Sequence, residues 1–261
     1  MKKLLKIRYD GTDFCGYQVQ PDRRTVQGEL NRALFTLIGC DCNVTGCSRT
    51  DSGVHACSFF AAVDRTDKRE ISIPSEKLPR ALNSVLPDDI SVLAAYDVSD
   101  GFHPRYDVIA KEYTYFLNNS GDSSPFLRNR AFTLIKPLTQ EQINRVNEAC
   151  GYLLGEHDFA AFMAEGSSVK STVREIYYAR LETSRDIYGE DLLAFKISGN
   201  GFLYNMVRII VGSMLDVAYF RIRPQDIAEI INSADRSKAG RTVPPHGLYL
   251  TSVTYPDEKI K

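Results

Sequence analysis

The chain of 261 residues lacks several features that would each have indicated a class of protein. No stretch approaches the roughly 20 apolar residues that a membrane-spanning helix needs. The N-terminal segment carries charges where the apolar run of an export signal would stand, at Lys2, Lys3, Lys6 and Arg8. We therefore expect a cytoplasmic protein.

Positive charge is not in excess either. The formal net charge is −1 and the isoelectric point is near 6.4. This balance counts against general nucleic-acid binding, because phosphate contacts need positive charge. Any basic surface must be local and created by folding. The candidate residues for such a surface are Arg105, Lys111, Arg128, Arg130, Lys170, Arg174 and Arg208.

The sequence has cysteines but no Cys-x-x-Cys pair, the spacing typical of common zinc sites. Four of the cysteines come close together in the chain near His55, which raises the hypothesis of a metal site. We interpret them instead as small buried thiols that stay reduced, and we predict no metal. The six cysteines are Cys15, Cys40, Cys42, Cys47, Cys57 and Cys150.

The period of the apolar residues predicts strands and helices mixed through both halves of the chain. Strands are predicted over 5–9, 54–63, 90–98, 111–118, 173–183, 192–198 and 247–255. Helices are predicted over 26–38 with a Thr25 cap and a Gly39 end, from Ser75 towards Leu86, after a capping box of Thr139 and Gln142, over 202–220, and from Pro224. This mixture favours an α+β or α/β protein with one or two sheets. A hinge at Phe102-His103-Pro104-Arg105 divides it into domains 1–105 and 106–261.

The segment from Arg49 to Ala56 reads Arg-Thr-Asp-Ser-Gly-Val-His-Ala. Gly53 allows a sharp turn after Asp51, and in extended chain Arg49 would point to the same side as Asp51 and keep its carboxylate ionised. An ionised aspartate can act as a nucleophile or a base. The alternative is an ordinary loop in which the carboxylate caps a backbone N–H.

This string resembles the Arg-Thr-Asp-x-Gly-Val-His-Ala signature of the TruA family of tRNA pseudouridine synthases. Other segments are similar to further family blocks, in family order, from the first strand nearly to the C-terminus. These segments are 9–20, 25–28, 102–106, 111–115, 155–159, 201–208 and 247–250.

The resemblance implies an α+β protein with two α/β domains, whose mainly antiparallel sheets join across a central RNA-binding cleft (the pseudouridine synthase fold). It implies isomerisation of uridine to pseudouridine in the anticodon stem-loop of tRNA, at positions 38, 39 and 40. No cofactor is needed, and a homodimer is implied. Asp51 matches the family's catalytic residue.

Further roles are implied for residues in the matching blocks. Tyr113 matches a tyrosine that stacks on the uracil. Arg208 matches an arginine that orients the catalytic aspartate and keeps it ionised. Arg49 matches a residue of base flipping, and Leu248 an apolar residue packed at the site. Arg105 and Lys111 are predicted to bind the substrate.

Local chemistry leaves two of these roles open. Periodicity alone would place Tyr113 in a sheet core. Arg208 stands among apolar residues, where an unpaired charge is costly, so it needs an anionic partner, which could be an acid other than Asp51.

The chain departs from the commonest family residues at Ser48, Ser52 and Asn205, where glycine, alanine and histidine are frequent. Asp51-Ser52-Gly53 also resembles the triplet of aspartic-type hydrolases, but those need two copies and the sequence has one. A noncatalytic tRNA-binding protein is a further alternative.

Overall fold

The computed structural model describes residues 2–166, 169–186 and 189–260, which divide into two compact units. The first unit runs up to Ala110 and includes the segment from Tyr249 onwards, and the second runs from Lys111 to Leu248. The predicted domains 1–105 and 106–261 are each continuous, and that division stays a prediction. The first unit is built from two separate segments, a feature that apolar periodicity cannot indicate because it reports only local order.

Within the described residues, strands and helices are mixed along the chain. The strands are β1 (Lys2–Tyr9), β2 (Cys42–Gly46), β3 (His55–Arg65), β4 (Ile90–Val98), β5 (Ala110–Asn118), β6 (Phe132–Thr133), β7 (Gly155–Asp158), β8 (Val173–Arg185), β9 (Asp191–Gly199) and β10 (Leu248–Thr254). The α-helices are α1 (Val26–Ile38), α2 (Leu78–Asn83), α3 (Gln140–Cys150), α4 (Met206–Ala218) and α5 (Asp226–Ser233).

In the first unit, β1 lies between β4 and β3 and is antiparallel to both. The other edge of β3 is shared by two strands. His55 and Ala56 pair with β10 in parallel, whereas residues 61–65 pair with β2 in antiparallel register. Helix α1 packs against β2 and α2, and α2 packs against β4. The loop that joins β2 to β3 therefore emerges beside β10.

In the second unit, β9 lies between β5 and β8 and is antiparallel to both, with β7 on the far side of β8. The short β6 pairs with β5 in parallel. Helix α4 is buried except at Arg208 and Asp216, and α3 packs against α4 and β8. The prediction of a mixed fold with mainly antiparallel sheets is confirmed.

Two helix caps follow the sequence. The Thr25 hydroxyl accepts from the Gly28 N–H (3.3 Å) at the start of α1, and Gly39 ends that helix with a φ of 70°. At α3, Thr139 and Gln142 form the predicted capping box. Both caps were predictable because side-chain oxygens at these positions bond the unpaired N–H groups of the first turn.

Three predicted helix starts are wrong. Ser75 does not cap α2, because its hydroxyl donates to Asp97 (2.8 Å) and accepts from Lys3 (3.0 Å) instead. Helix α4 begins at Met206 and not at residue 202, since Asn205 has a left-handed φ of 59°. Helix α5 begins at Asp226, two residues after Pro224.

The cysteines are only partly the buried thiols of the prediction. Cys47 and Cys150 are buried, and burial raises the pKa of Cys150 to about 12. Cys57 is exposed, and Cys15, Cys40 and Cys42 are half-buried. Over the described ranges, no three metal-binding side chains cluster together, and no helix there has the length and apolarity to cross a membrane.

Candidate active site

The Asp51 loop connects β2 to β3 and makes the predicted sharp turn. Gly53 has a φ of 76°, in the left-handed region that favours glycine. The Val54 N–H donates to the Asp51 carbonyl (3.2 Å) and closes the turn. Asp51 itself is half-buried. The turn fixes the backbone that carries the carboxylate.

Backbone hydrogen bonds fix the loop on both sides of Asp51. The Tyr17 N–H donates to the Thr50 carbonyl (3.1 Å), and the Gly53 N–H donates to the Phe14 carbonyl (3.3 Å). The Ser52 hydroxyl donates to the same Phe14 carbonyl at 3.2 Å. Ser52 therefore helps to hold the loop. The segment after β1 is a rigid support for the candidate catalytic acid.

Two glycines of that segment make close backbone contacts with the loop. A Cβ atom on Gly11 would lie 2.0 Å from the Val54 carbonyl oxygen, and one on Gly16 would lie 2.7 Å from the Thr50 carbonyl oxygen. Gly16 also has a φ of 84°. Only glycine permits these approaches, so both positions contribute to placing Asp51.

Thr50 anchors the loop from inside the first unit. Its buried hydroxyl shares a 2.7 Å hydrogen bond with the Tyr9 hydroxyl. We expect Thr50→Val to lower the free energy of unfolding by about 1 kcal/mol, because the substitution keeps the shape and removes this bond. Chemical denaturation measures the change. Thr50→Ser, which keeps the hydroxyl, is the control, and equal losses in both variants would contradict the role of the bond.

His55 links the same segment to β3. Its buried ring stacks on Tyr249 with centroids 4.5 Å apart, and its Nδ1 accepts from the Gly11 N–H at 3.0 Å. Nδ1 also lies 3.1 Å from an Asp10 oxygen. His55 and the hydrogen bonds from Thr12 hold the pKa of Asp10 well below its usual range.

Arg49 and Arg105 are the other predicted site residues of the first unit, and both are exposed. Within the described chain, neither side chain has a hydrogen bond or ion pair. The predicted role of Arg49 in keeping the Asp51 carboxylate ionised stays a prediction. Both guanidinium groups are positioned to receive an anion from solution, and arginine suits phosphate oxygens.

In the second unit, Arg208 is the half-buried cation of the mostly apolar helix α4. Its Nε donates to the Val243 carbonyl (2.8 Å), and its Nη1 donates to Oδ1 of Asn205 (2.6 Å). Two neutral oxygens of the same unit therefore orient the guanidinium. Its pairing with an acid stays a prediction.

Asn205 is a departure from the family pattern to which the structure gives a function. We expect Asn205→Gly to lower kcat roughly tenfold, about 1.4 kcal/mol, because it removes a charge-assisted acceptor of Arg208. Glycine suits the left-handed backbone at this position, so the fold should persist. Asn205→Asp, which keeps an acceptor there, should retain more activity than the glycine variant. The opposite order in steady-state kinetics would contradict the assignment.

The segment that supplies the Val243 carbonyl is itself fixed. A Cβ atom on Gly212 of α4 would lie 1.9 Å from the Arg241 carbonyl oxygen. One residue on, the Ser213 hydroxyl accepts from the Gly240 N–H at 2.8 Å. Helix α4 thus holds the segment from Gly240 to Val243 by direct backbone contact, and that segment orients Arg208.

The remaining predicted residues also lie in the second unit. Tyr113 is 7% exposed on β5, and its ring makes a T-shaped contact with Phe202, with centroids 5.2 Å apart and planes at 87°. Lys111, on the same face of β5 by the strand alternation, is 8% exposed, and Leu248 is 6% exposed. Their roles towards a substrate stay predictions.

The other basic candidates are also in the second unit. Arg128, Arg130 and Lys170 are exposed. Arg174 is half-buried, and its Nη1 donates to the carbonyls of Ser171 (3.0 Å) and Val173 (2.5 Å).

Sequence reasoning missed the residues that support the catalytic candidates. The sequence motif contains Thr50 but does not indicate its anchoring role. It likewise indicates no role for Gly11, Gly16 or Gly212. One signal was available for Gly212, because a glycine inside an apolar helix is costly unless a close contact requires it. The contact partner lies far along the chain and has no sequence signal.

Comparisons with known proteins place this arrangement in a family. The model of a family described as tRNA pseudouridine synthase matches residues 6–107 and 149–256. The chain belongs to this family and is an isomerase that converts uridine to pseudouridine.

Individual relatives agree over almost the whole length. Proteins named tRNA pseudouridine synthase A from three organisms are examples of sequences similar to this chain. The Thermoanaerobacter sp. (strain X514) protein is 44% identical over 97% of this chain and 98% of its own. The Ruminiclostridium cellulolyticum protein is 43% identical over 98% and 100%, and the Bacillus velezensis protein 44% over 98% and 99%.

Proposed function

We propose that this enzyme converts uridine to pseudouridine in the anticodon stem-loop of tRNA, at positions 38, 39 and 40, with the Asp51 carboxylate as the catalytic nucleophile. The observation that carries the assignment of Asp51 is its loop. Hydrogen bonds and glycine contacts fix the backbone on either side of it. A carboxylate on a fixed backbone is preorganised for attack, which lowers the entropic part of a barrier.

The reaction exchanges one bond for another within the nucleotide. The bond from the ribose C1′ to N1 of uracil breaks, the base turns, and a bond from C1′ to C5 forms. The C5 proton leaves, and N1 gains a proton, so no oxidant or cofactor is required. Asp51 serves by attacking the base or the sugar, or by stabilising positive charge on the ribose.

Other residues receive supporting roles in this proposal. Tyr113 is proposed to stack on the extruded uracil, since a flipped base needs an aromatic surface in the pocket. Arg49, Arg105 and Lys111 are proposed to bind the RNA. Arg208 is proposed to keep the catalytic carboxylate ionised, and Leu248 to pack beside the base. A homodimer in the cytoplasm completes the proposal.

Tritium release tests the substrate assignment. Unmodified tRNA transcripts labelled at uracil C5 would carry a single uridine at position 38, 39 or 40, with cytidine at the other two. We expect release from each transcript and none when all three positions are cytidine. Release from the cytidine transcript would place the target elsewhere in tRNA.

The same assay tests the substrate as a whole. If the folded protein binds tRNA and no transcript releases tritium, the proposed substrate is wrong.

A further inference from the structure

The turn from His103 to Asp107, in the first unit, presents two unusual side chains to solvent. Tyr106 is 76% exposed, more than any other aromatic side chain of the described chain. Arg105 beside it is exposed and has no side-chain partner among the described residues. A large apolar ring and an unpaired guanidinium thus stand next to each other on the surface. We call residues 103–107 the aromatic turn.

The turn is rigid because its own backbone closes it. The Tyr106 and Asp107 N–H groups both donate to the His103 carbonyl, at 3.2 and 3.0 Å. In return, the Asp107 carboxylate accepts from the His103 N–H at 2.8 Å. The Arg105 N–H donates to Nδ1 of His103 at 3.2 Å. These bonds use most of the polar groups of the turn.

The C-terminal segment ties the turn to the unit. The buried Tyr255 hydroxyl donates to the Pro104 carbonyl at 2.6 Å, and Lys259 pairs with Asp107 at 2.5 Å. The hydrogen bond from the His103 N–H and the Lys259 ammonium lower the pKa of Asp107. Pro104 is buried, whereas its two successors are exposed. The base of the turn is therefore anchored, and its tip, formed by Arg105 and Tyr106, is exposed to solvent.

The rings of Tyr106 and His103 pack against each other as a tilted pair. Their centroids are 4.2 Å apart and their planes differ by 30°. Because His103 contacts one side of the Tyr106 ring and the side chain is 76% exposed, the opposite face meets solvent. The hydrogen bond into Nδ1 of His103 keeps that imidazole in place. A planar ligand could pack on the open face of Tyr106, and little side-chain entropy would be lost because the ring is already held in place.

Two cations at the aromatic turn, Lys2 and Arg105, are free of carboxylate partners among the described residues. Lys2 donates to the Phe102 carbonyl at 3.2 Å. Lys259 and Asp107 neutralise each other. The turn therefore combines an open aromatic face with two unpaired cations, in a protein whose formal net charge is only −1.

We propose that the aromatic turn is an RNA-binding surface, on which Tyr106 stacks on an unpaired base and Arg105 contacts a neighbouring phosphate. Aromatic faces accept any base, whereas the guanidinium fork suits phosphate oxygens, and single-stranded nucleic acids are bound by this combination. The proposal rests on the proposed function, since it assigns the surface to the tRNA. It adds Tyr106 and His103 to the predicted contact of Arg105.

Binding of an unmodified tRNA transcript to the full-length protein tests the stack. We expect Tyr106→Ala to raise Kd roughly 5- to 150-fold, the range for loss of one base–aromatic stack. Tyr106→Phe should bind like the unaltered protein, because the ring is retained. Phe35→Ala is the matched control, since Phe35 is a 53% exposed aromatic residue of the same unit, on α1. It should leave Kd unchanged.

Kinetics and salt dependence refine the same test. Tyr106→Ala should raise KM and leave kcat unchanged, as expected for an interaction made equally in the ground and transition states. Arg105→Gln should reduce the slope of log Kd against log salt by about 0.7 to 0.9, whereas Arg105→Lys should keep it.

The outcomes separate this inference from the proposed function. If the unaltered protein releases tritium and Tyr106→Ala binds and reacts identically, the inference alone is wrong. If Tyr106→Ala changes the oligomeric state in light scattering with RNA affinity intact, the turn contacts a second copy of the chain, which also overturns the inference. Absence of release by the unaltered protein concerns the proposed function only, because Kd is measured independently.

Discussion

Replacement of Asp51 by asparagine should abolish pseudouridine formation, with kcat lowered at least about 10⁴-fold, as is typical when a nucleophile is removed. Asparagine has the same shape but carries no charge and cannot attack or stabilise a cation in the same way. The turn that carries residue 51 depends on backbone groups and on Gly53. The variant should therefore fold and still bind tRNA.

The neighbouring residue provides the matched control. Ser52 is exposed, and its hydroxyl bond to the Phe14 carbonyl is supplemented by the Gly53 N–H. Ser52→Ala introduces the residue that is frequent in the family, and we expect at least about a third of the activity to remain, a loss under 1 kcal/mol. Tritium release and tRNA binding should be measured on both variants. If the Asp51→Asn enzyme were as active as the Ser52→Ala enzyme, Asp51 would have no catalytic role.

Local sequence signals predicted much of the fold because the relevant physics is local. The Thr25 cap, the Gly39 end and the Thr139 capping box depend on groups a few residues apart. Strand alternation likewise depends only on neighbours along one strand. The wrong Ser75 cap shows the limit, because that hydroxyl is bonded by Lys3 and Asp97, which lie on other elements.

The candidate site likewise has parts that local sequence signals predict and parts that depend on contacts made only after folding. Asp51 and its turn were predictable, since Gly53 follows two residues later and its φ of 76° is a local property. The supports were not, because Gly11 meets Val54 and Gly212 meets Arg241 only after folding. The sequence shows Asn205 as a departure from the family pattern. Its bond to Arg208 was not predictable, because it depends on the left-handed backbone of Asn205 at the start of α4.

The backbone contact at Gly212 predicts a large effect from a single methyl group. In Gly212→Ala, the new Cβ would lie 1.9 Å from the Arg241 carbonyl oxygen and 3.0 Å from its carbon. Both are backbone atoms, so no rotamer change relieves the clash. Either α4 or the segment from Gly240 to Val243 must move. We expect the free energy of unfolding to fall by about 3 kcal/mol, the upper part of the range for overpacking.

Activity should fall as well, and by a separate route. Displacement of the segment moves the Val243 carbonyl that accepts from Nε of Arg208, and a misplacement of about 1 Å can lower a rate 10²-fold. We therefore expect kcat to drop roughly 10²-fold at a temperature where the variant is still folded. Urea denaturation and tritium release measure the two effects.

Gly151→Ala is the matched control in the same unit, because a Cβ there meets nothing within 4 Å and the backbone is helical, with a φ of −59°. That substitution should stabilise the protein by about 0.4 to 1 kcal/mol through the unfolded state. If both alanine variants behaved alike, α4 would not hold the segment by contact. If Gly212→Ala lost stability but kept its kcat, the orientation of Arg208 would not depend on the Val243 carbonyl. Loss of both in Gly212→Ala alone would establish that the backbone contact at Gly212 determines the position of Arg208 and that this position matters for the rate.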